Sequence, residues 1–459
     1  MPTPHEWLRL LEPELDRQAG NAKRWDRYYT GEHPIPGPEN KAKQAYRRLL
    51  AQARSNWCEL VVNSTEERLN VIGFSARQRS DAVEADAWEL WDANELDLFG
   101  PQAILETLIS GHAYAIAYPD HDHTTGVDVV LAPELPSQVT IAYGSHLRQP
   151  EAALKRYTDR DDVIHAILFL DRLVIEFTRD AKKSSEAGWA VADTRSNPFG
   201  RVPVVELKAR PRLDRRPGRS ELASAFEIQD RINETLFNRL LAQQYASWRQ
   251  RWATGLTLEI DETTGEVVEP FDTQVDRLWV TEEDTVRFGE FGEHNLRNYI
   301  DAVESDIQHL AAITRTPPHY LLGQSGAFPS GESLKSTETG LVAKVRDHHA
   351  SIGHALGQLV RLGLRLTKEQ DPGRIRTIWA DPESRSDGEL VDALLKLKSL
   401  GIPDEAIWAR VPGATPEDVR AWRAQAARAR LNATPLPTPP PSTPTSVAQP
   451  RDRLPAAVA

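Results

Sequence analysis

Leu296, Tyr299, Ile300, Val303, Ile307 and Leu310 recur three or four residues apart, the apolar stripe of an amphipathic helix. Pro317 and Pro318 are expected to end it, because the residue before a proline is pushed out of the α region and a proline has no backbone donor. Beyond a Gly- and Ser-rich loop, Leu334, Leu341, Val345, Ile352, Leu356, Leu359 and Leu366 mark a second stripe. It predicts a helix over 332–369, about 57 Å long at 1.5 Å per residue. Gly340, Gly353, Gly357 and Gly363 lie within it, each costing about 1 kcal/mol against alanine, so they predict bends or close contacts.

The same periodicity predicts further helices. Trp7, Leu8, Leu11 and Leu15 mark an opening helix, followed by a Pro/Gly-rich turn over 33–38. A helix over about 40–70 would bury Ala45, Leu49, Ala53, Trp57, Leu60, Val61 and Leu69, and one over 81–94 would bury Val83, Ala87, Leu90 and Trp91. Another, capped by Ser220, carries Leu222, Phe226, Ile232, Leu236, Leu240 and Tyr245 to about Trp248. Between 113 and 207 the period changes. Runs at 113–118, 127–131, 163–170, 173–177 and 202–207 are rich in β-branched and aromatic residues and predict a mostly antiparallel sheet. After Asp371-Pro-Gly373 come a short strand at 375–379 and helices at 387–400 and 416–431, the second capped by Thr415. Residues 434–459 are dominated by Pro, Thr and Ser and are expected to be disordered. There is no internal repeat. The fold class is α+β, mainly α.

Composition narrows the functional classes. A chain of 459 residues, 40% hydrophobic, is long enough for about two or three domains with real cores. Lys and Arg number 55 against 67 Asp and Glu, a formal charge of −12. That balance argues against a protein built to grip nucleic acid, though not against one that DNA passes. The single cysteine, Cys58, excludes an intrachain disulfide framework and a cysteine zinc cluster. No leader pattern opens the chain and no apolar run nears the roughly 20 residues that span a bilayer, so a soluble cytoplasmic protein without membrane contact is expected.

The acids are unevenly placed. Between 259 and 293, twelve of them face only Arg277 and Arg287, and the strand-like runs at 256–260 and 277–280 flank a turn at Thr264-Gly265. This predicts a small acidic β-rich insertion between two helices. It reads either as a solvated loop or as the lining of a passage or docking surface, where carboxylates would repel phosphate and let DNA slide. The preceding run Arg210, Arg212, Arg215, Arg216 and Arg219 reads equally as a phosphate contact or as a surface turn partnered by Asp214 and Glu221.

Catalytic signatures are absent from the sequence. There is no phosphate-binding Gly-x-x-x-x-Gly-Lys-Ser/Thr and no Gly-x-Gly-x-x-Gly after a strand. Asp120-His-Asp-His123 has metal-ligand residue types, but beside Thr124-Thr-Gly126 it reads better as a polar hairpin turn. His348, His349 and His354 lie on the long helix, and a solvated or packing role suits them. No cofactor or metal is expected, and no enzymatic activity.

Seven short motifs, in order, carry a resemblance. They are Asn56-Trp-Cys-x-x-Val-Val62, Arg68-Leu-x-Val-x-Gly-Phe74, Val202-Pro-Val-Val205, Gly218-Arg-Ser-Glu221, Gln229-Asp-x-Ile-Asn233, Arg251-Trp-Ala-Thr-Gly255 and Thr316-Pro-Pro-His-Tyr320. Over residues 20 to 370 the chain resembles portal proteins of tailed bacteriophages, above all those of actinobacterial phages and prophages. Two places depart from that pattern: Phe328-Pro-Ser330 where Asn-Pro-Ser is expected, and Ser247-Trp-Arg-Gln250 where relatives often carry a proline.

The resemblance implies a portal fold with wing, stem, clip and crown, assembled as a ring, normally a dodecamer, at one capsid vertex of the virion. It implies a wing region over 1–218, stem helices over 219–250 and 293–315, and an acidic clip over 251–292. It further implies a tunnel loop over 316–331, a wing-spine helix over 332–371, a crown over 372–432 and a tail over 433–459. Double-stranded DNA would pass through the channel during packaging and ejection. The terminase large subunit and then a head–tail connector would dock, beside major capsid and scaffold proteins, with assembly in the host cytoplasm. The tunnel-loop residues at stake are Gln324, Ser325, Phe328 and Ser330; the docking surface is Glu262, Glu266, Glu269, Asp272, Glu282, Glu283 and Asp284. The rival readings are another head or connector component without a channel, and a metal-dependent nuclease using residues 120–123.

Overall fold

The computed structural model describes residues 2–34, 44–76, 81–120, 127–144, 149–180, 188–213, 218–246, 251–255, 285–290, 295–322, 331–368, 371–383, 387–408, 411, 414 and 416–433. They fall into two compact units, Met1–Ser384 and Arg385–Ala459.

The first unit opens with helices α1 (Pro4–Tyr29), α2 (Gln44–Gln52) and α3 (Trp57–Glu66), strand β1 (Val71–Ala76), and helices α4 (Asp81–Ala93) and α5 (Leu96–Ser110). Strands β2 (His112–Pro119), β3 (Val129–Glu134), β4 (Val139–Tyr143), β5 (Pro150–Thr158), β6 (Val163–Phe169), β7 (Leu173–Asp180), β8 (Ala190–Ser196) and β9 (Val204–Lys208) follow. A short 3-10 turn, Glu221–Ser224, leads into α6 (Phe226–Ala246). Then come β10 (Arg251–Thr254), β11 (Arg287–Glu290), α7 (Arg297–Thr314), α8 (Pro318–Leu322), α9 (Gly331–Thr367) and β12 (Ile375–Trp379). The second unit holds α10 (Asp387–Ser399), α11 (Asp404–Trp408) and α12 (Pro416–Ala433), with Trp408 and Trp422 meeting edge to face at 6.5 Å.

Where the sequence suggested one sheet over 113–207, the described strands there form two, β3–β2–β9 and the meander β4–β5–β6–β7–β8; β1–β12 and β10–β11 are separate pairs, and all the pairings are antiparallel. The meander is buried on one face by Leu8, Leu11 and Leu15 of α1, which pack on Leu154, Leu168, Ile175 and Phe177. On the other face, Val139, Ala153 and Phe169 cover Tyr114 and Ile116 of β2. Alternation along each strand sends neighbours to opposite faces, so one meander joins two layers.

The single helix expected over 40–70 is two. Asn56 leaves the helical region at φ −107°, ψ 89°, and its side chain accepts from the Glu59 amide as the cap of α3. Helix α5 escaped the sequence reading because it is apolar nearly all round, with Leu96, Ala103, Ile104, Leu108 and Ile109 buried, and so has no stripe.

The long helix forms as predicted, 37 residues from Gly331 to Thr367. Three of its glycines are close-contact points. A Cβ at Gly357 would lie 2.4 Å from the Ile375 carbonyl oxygen, one at Gly353 2.7 Å from Trp379 Nε1, and one at Gly363 2.5 Å from a Leu90 methyl. The helix thus lets β12 and α4 press on its backbone. Gly340 differs, with only Arg315 Cβ at 3.7 Å. Strand β12, grouped with the C-terminal helices on sequence, is hydrogen-bonded to β1 and lies within the first unit.

Candidate functional site

Both ends of the segment 323–330 are anchored to one another. Helix α7 stops at Thr314 because Arg315 turns left-handed at φ 55° and donates its amide to Ala311, as Thr316 does at 3.0 Å. The stop therefore precedes Pro317 and Pro318, which were expected to impose it; Pro318 instead opens α8, where a missing N–H costs nothing. Tyr320 on α8 accepts from Arg68 Nη2 at 2.7 Å and donates to Glu338 Oε1 on α9 at 3.2 Å. Arg68 also meets Glu338 at 3.2 Å and donates through Nη1 to the Pro382 carbonyl at 2.7 Å. Arg68 and Glu338 are each 14% exposed, so the ion pair is largely withdrawn from water. Burial raises the Tyr320 pKa, keeping the phenol protonated and able to donate.

Beneath this clamp lies a buried charge cluster. Glu221, 1% exposed, receives Arg210 Nε at 3.0 Å, His348 Nε2 at 3.0 Å and Lys344 Nζ at 3.2 Å. Lys344 is fully buried and also donates at 2.9 Å to the Thr314 carbonyl in the last turn of α7. Burial alone would raise the Glu221 pKa, but the hydrogen bond from His348 and the charges of Lys344 and Arg210 outweigh it and hold it at about 2. Burial lowers the Lys344 pKa, against the opposing pull of Glu221. The cluster fastens the 3-10 turn that leads into α6, the end of α7 and the middle of α9 at one point. His348, read on sequence as a solvated or packing residue, is one of its members; His349 does pack, stacked on Trp379 at 4.7 Å.

Ser220 reaches that point through a tight crossing. A Cβ at Gly218 would come within 2.3 Å of the carbonyl oxygens of Ala209 and Gly111, and Ser220 Oγ donates to the Ile109 carbonyl. As the sequence suggested, Ser220 is a cap, accepting from Leu222 N at 3.0 Å, though it caps the 3-10 turn rather than α6.

Helices α6 and α7 lie against one another: Arg231 near the start of α6 pairs at 2.6 Å with Asp306 in the middle of α7, and Lys344 bridges Glu221, just before α6, to Thr314, the last residue of α7. They are therefore antiparallel. Gln229 and Asn233 of α6 hold the chain between α2 and α3. Gln229 accepts from Trp57 N at 2.9 Å and donates to the Ser55 carbonyl at 2.7 Å, while Asn233 Oδ1 accepts from Ser55 N at 3.1 Å. The Asn233 amide donates to His33 Nδ1 at 3.0 Å, and His33 Nε2–H donates to the Tyr28 carbonyl at 3.0 Å. Burial lowers the His33 pKa, in keeping with the neutral tautomer this pattern requires. Past α6, β10 pairs with β11 from Arg251↔Glu290 to Thr254↔Arg287, so the chain leaves and re-enters the described structure side by side at 255 and 285.

Gln324, Ser325, Phe328 and Ser330 lie outside the described residues, as do Glu262, Glu266, Glu269, Asp272, Glu282, Glu283 and Asp284. So do the strand-like runs at 256–260 and 277–280. What is described is the frame at their ends. The residues that form it were missed as functional, although Arg68, Glu221, Gln229, Asn233 and Tyr320 all sit in the quoted motifs. Lys344 had a signal of its own: a lysine on the apolar face that carries Leu341, Val345 and Ile352.

Of the cluster at 120–123, only Asp120 is described; its amide donates to the Asp128 carbonyl at 3.1 Å, closing the β2–β3 connection. No group of potential metal ligands occurs among the described residues, and no described helix is long and apolar enough to cross a membrane.

The described α+β body thus holds the ends of two chain segments together, through the β10–β11 pair and through the Arg68–Tyr320–Glu338 clamp. The profile of the family described as phage portal protein, SPP1 Gp6-like, matches residues 8–430, and the chain belongs to that family. It is similar to the portal protein of Mycobacterium phage D29, 27% identical over 365 residues, which cover 76% of this chain and 73% of that protein. It is likewise similar to the portal protein of Mycobacterium phage L5, 26% identical over 390 residues, covering 82% and 78%. Among solved structures, a chain titled as the neck of the native gene transfer agent (GTA) particle is 10% identical at a TM-score of 0.46, covering 82% of this chain and 95% of that one.

Proposed function

We propose that this portal protein assembles as a ring, of about twelve copies as the family resemblance implies, around a channel for double-stranded DNA. In this reading α6 and α7 are the stem and the acidic segment carried on β10 and β11 is the clip, where the terminase large subunit and later the head–tail connector dock. Residues 316–331, of which Pro318–Leu322 are helix α8, form the tunnel loop, α9 is the spine of the wing and α10–α12 belong to the crown. The chain itself performs no hydrolysis; the packaging motor does. Its place is a capsid vertex of the virion, reached by assembly with capsid and scaffold proteins in the host cytoplasm.

The observation that carries this reading is the Arg68–Tyr320–Glu338 clamp. A loop that acts on passing DNA needs a fixed root, and the clamp ties the residues on either side of 323–330 to the same buried body. Between 316 and 331 the sequence is polar and nearly uncharged, which suits light contact rather than tight binding. The test is deletion of 324–328 in the virus. The expected mutant forms rings but packages or retains DNA poorly; normal packaging and retention would remove the loop from the mechanism.

A further inference from the structure

His165 on β6 stands between two carboxylates. Its Nδ1 lies 2.8 Å from Glu176 Oε1 on β7, and its Nε2 lies 3.0 Å from Asp159 Oδ2 in the β5–β6 turn. An ionised carboxylate only accepts hydrogen bonds, so both ring nitrogens must donate, and only the protonated imidazole donates from both. The Tyr157 ring of β5 stacks on it, 5.0 Å away and 6° from parallel, where a cation is favoured over the π face. Asp159 is fixed in its turn, with Oδ1 accepting from the amides of Asp161 at 2.9 Å and Val163 at 2.8 Å. One ring therefore joins the turn after β5 to strand β7.

The charged groups around it are placed as follows. Arg160, Asp161 and Asp162 complete the turn and are exposed, and Asp180 ends β7 opposite Val163. Lys155 of β5 is turned to Glu134 of β3, and Asp193 of β8 to Arg195. Arg156 and Arg179 meet Glu12 of α1 on the opposite face of the sheet. Burial raises the Tyr157 pKa and keeps its phenol protonated. The hydrogen bond to Asp159, ahead of the cost of burial, raises the His165 pKa, and the same bond lowers that of Asp159. Burial has the reverse effect on His33, His112, His349 and His354, whose pKa values it lowers. A histidine whose pKa is raised by folding contributes its stability in full below the ordinary 6.5 and loses it as pH rises through the folded value. Tyr157 and Glu176 also line a cavity of about 590 Å³ between the meander and the end of β2, beside Ile116, Tyr118 and Phe169.

We propose that His165 is a proton-operated lock: the protonated ring ties the β5–β6 turn to β7, and loss of the proton unties them and loosens the wall of the cavity between β2 and the meander. A neutral ring has one N–H, so one of the two carboxylates loses its donor, and Glu176 and Asp159 are left to repel one another. The lock acts within one chain and does not depend on a ring or on DNA.

The test is hydrogen–deuterium exchange of the full-length protein, read in peptides covering 155–180 from about pH 6 to about pH 9 and corrected for the intrinsic pH dependence of exchange. In the wild type the protection of these peptides should fall by about threefold or more across that range, because proton affinity gained on folding becomes an equal factor in the opening constant once the proton is lost. His165→Arg keeps a cationic donor at every pH used and should hold its protection constant. His165→Gln offers one neutral donor and should be less protected than the wild type at low pH, with no pH dependence. Wild-type protection that does not change with pH overturns the proposal, as does an equal fall in His165→Arg. A fall of the same size in peptides of α9 would mean general unfolding and would overturn it as well. If His165→Gln does not fold, the wild-type and arginine profiles decide between these outcomes.

Discussion

Tyr320 and Glu338 stand hydroxyl to carboxylate at 3.2 Å, eighteen residues apart in the chain, with the segment 323–330 between them. Arg68 closes the triangle from α3's C-terminal side. The consequence is mechanical. Helices α8 and α9, on either side of 323–330, are bonded directly to each other and through Arg68 to the end of α3.

Removing the hydroxyl tests the clamp. Tyr320→Phe leaves two largely buried charged groups short of one hydrogen bond each and should destabilise the protein by about 1–3 kcal/mol. Urea unfolding reads the loss, and limited proteolysis should become faster within 323–330 specifically.

The Glu221 cluster predicts a pH dependence. Its folded pKa, about 2, lies below the ordinary value of 4.5, so its contribution is fully present above that value and is lost as pH falls toward 2. Asp371, held at about 2 against an ordinary 3.8, adds a loss over the narrower window between those values. Melting temperature should therefore fall across pH 4.5 to 2, and Glu221→Gln should flatten part of that fall. At neutral pH the same substitution should cost about 3–5 kcal/mol, since it strands Lys344 and Arg210 beside a neutral group.

Two glycines of α9 should respond oppositely to the same change. Gly357→Ala places a Cβ 2.4 Å from a backbone oxygen of β12 and should destabilise by about 1–3 kcal/mol. Gly340→Ala meets nothing nearer than 3.7 Å and should stabilise by up to about 1 kcal/mol through helix propensity. Thermal melts of the two variants check both signs.

Periodicity read the long elements well. The stripes of α7 and α9 fixed those helices to within a few residues, and the glycines of α9 announced its close contacts. What periodicity could not read was pairing at a distance. Helix α5 has no polar face to betray it, and β12 gives no local sign that its partner is β1. The stop after Thr314 was assigned to the prolines, whereas the left-handed Arg315 carries it. The clamp and the buried cluster join residues more than a hundred positions apart, such as Glu221 with His348 and Arg68 with Tyr320. Spacing within a segment carries no trace of such contacts; the motifs marked Arg68, Glu221 and Tyr320 without saying what they touch, and Glu338 and His348 lie outside them.

The central claim is that this chain forms a ring with the 323–330 segment turned into its hole. Cryo-electron microscopy of the purified full-length protein tests it most directly. The account predicts closed rings with a central channel, α6 and α7 lining it, and Phe328 and its neighbours facing the lumen. A protein that never closes into rings, or rings with that segment on the outer surface, would contradict it.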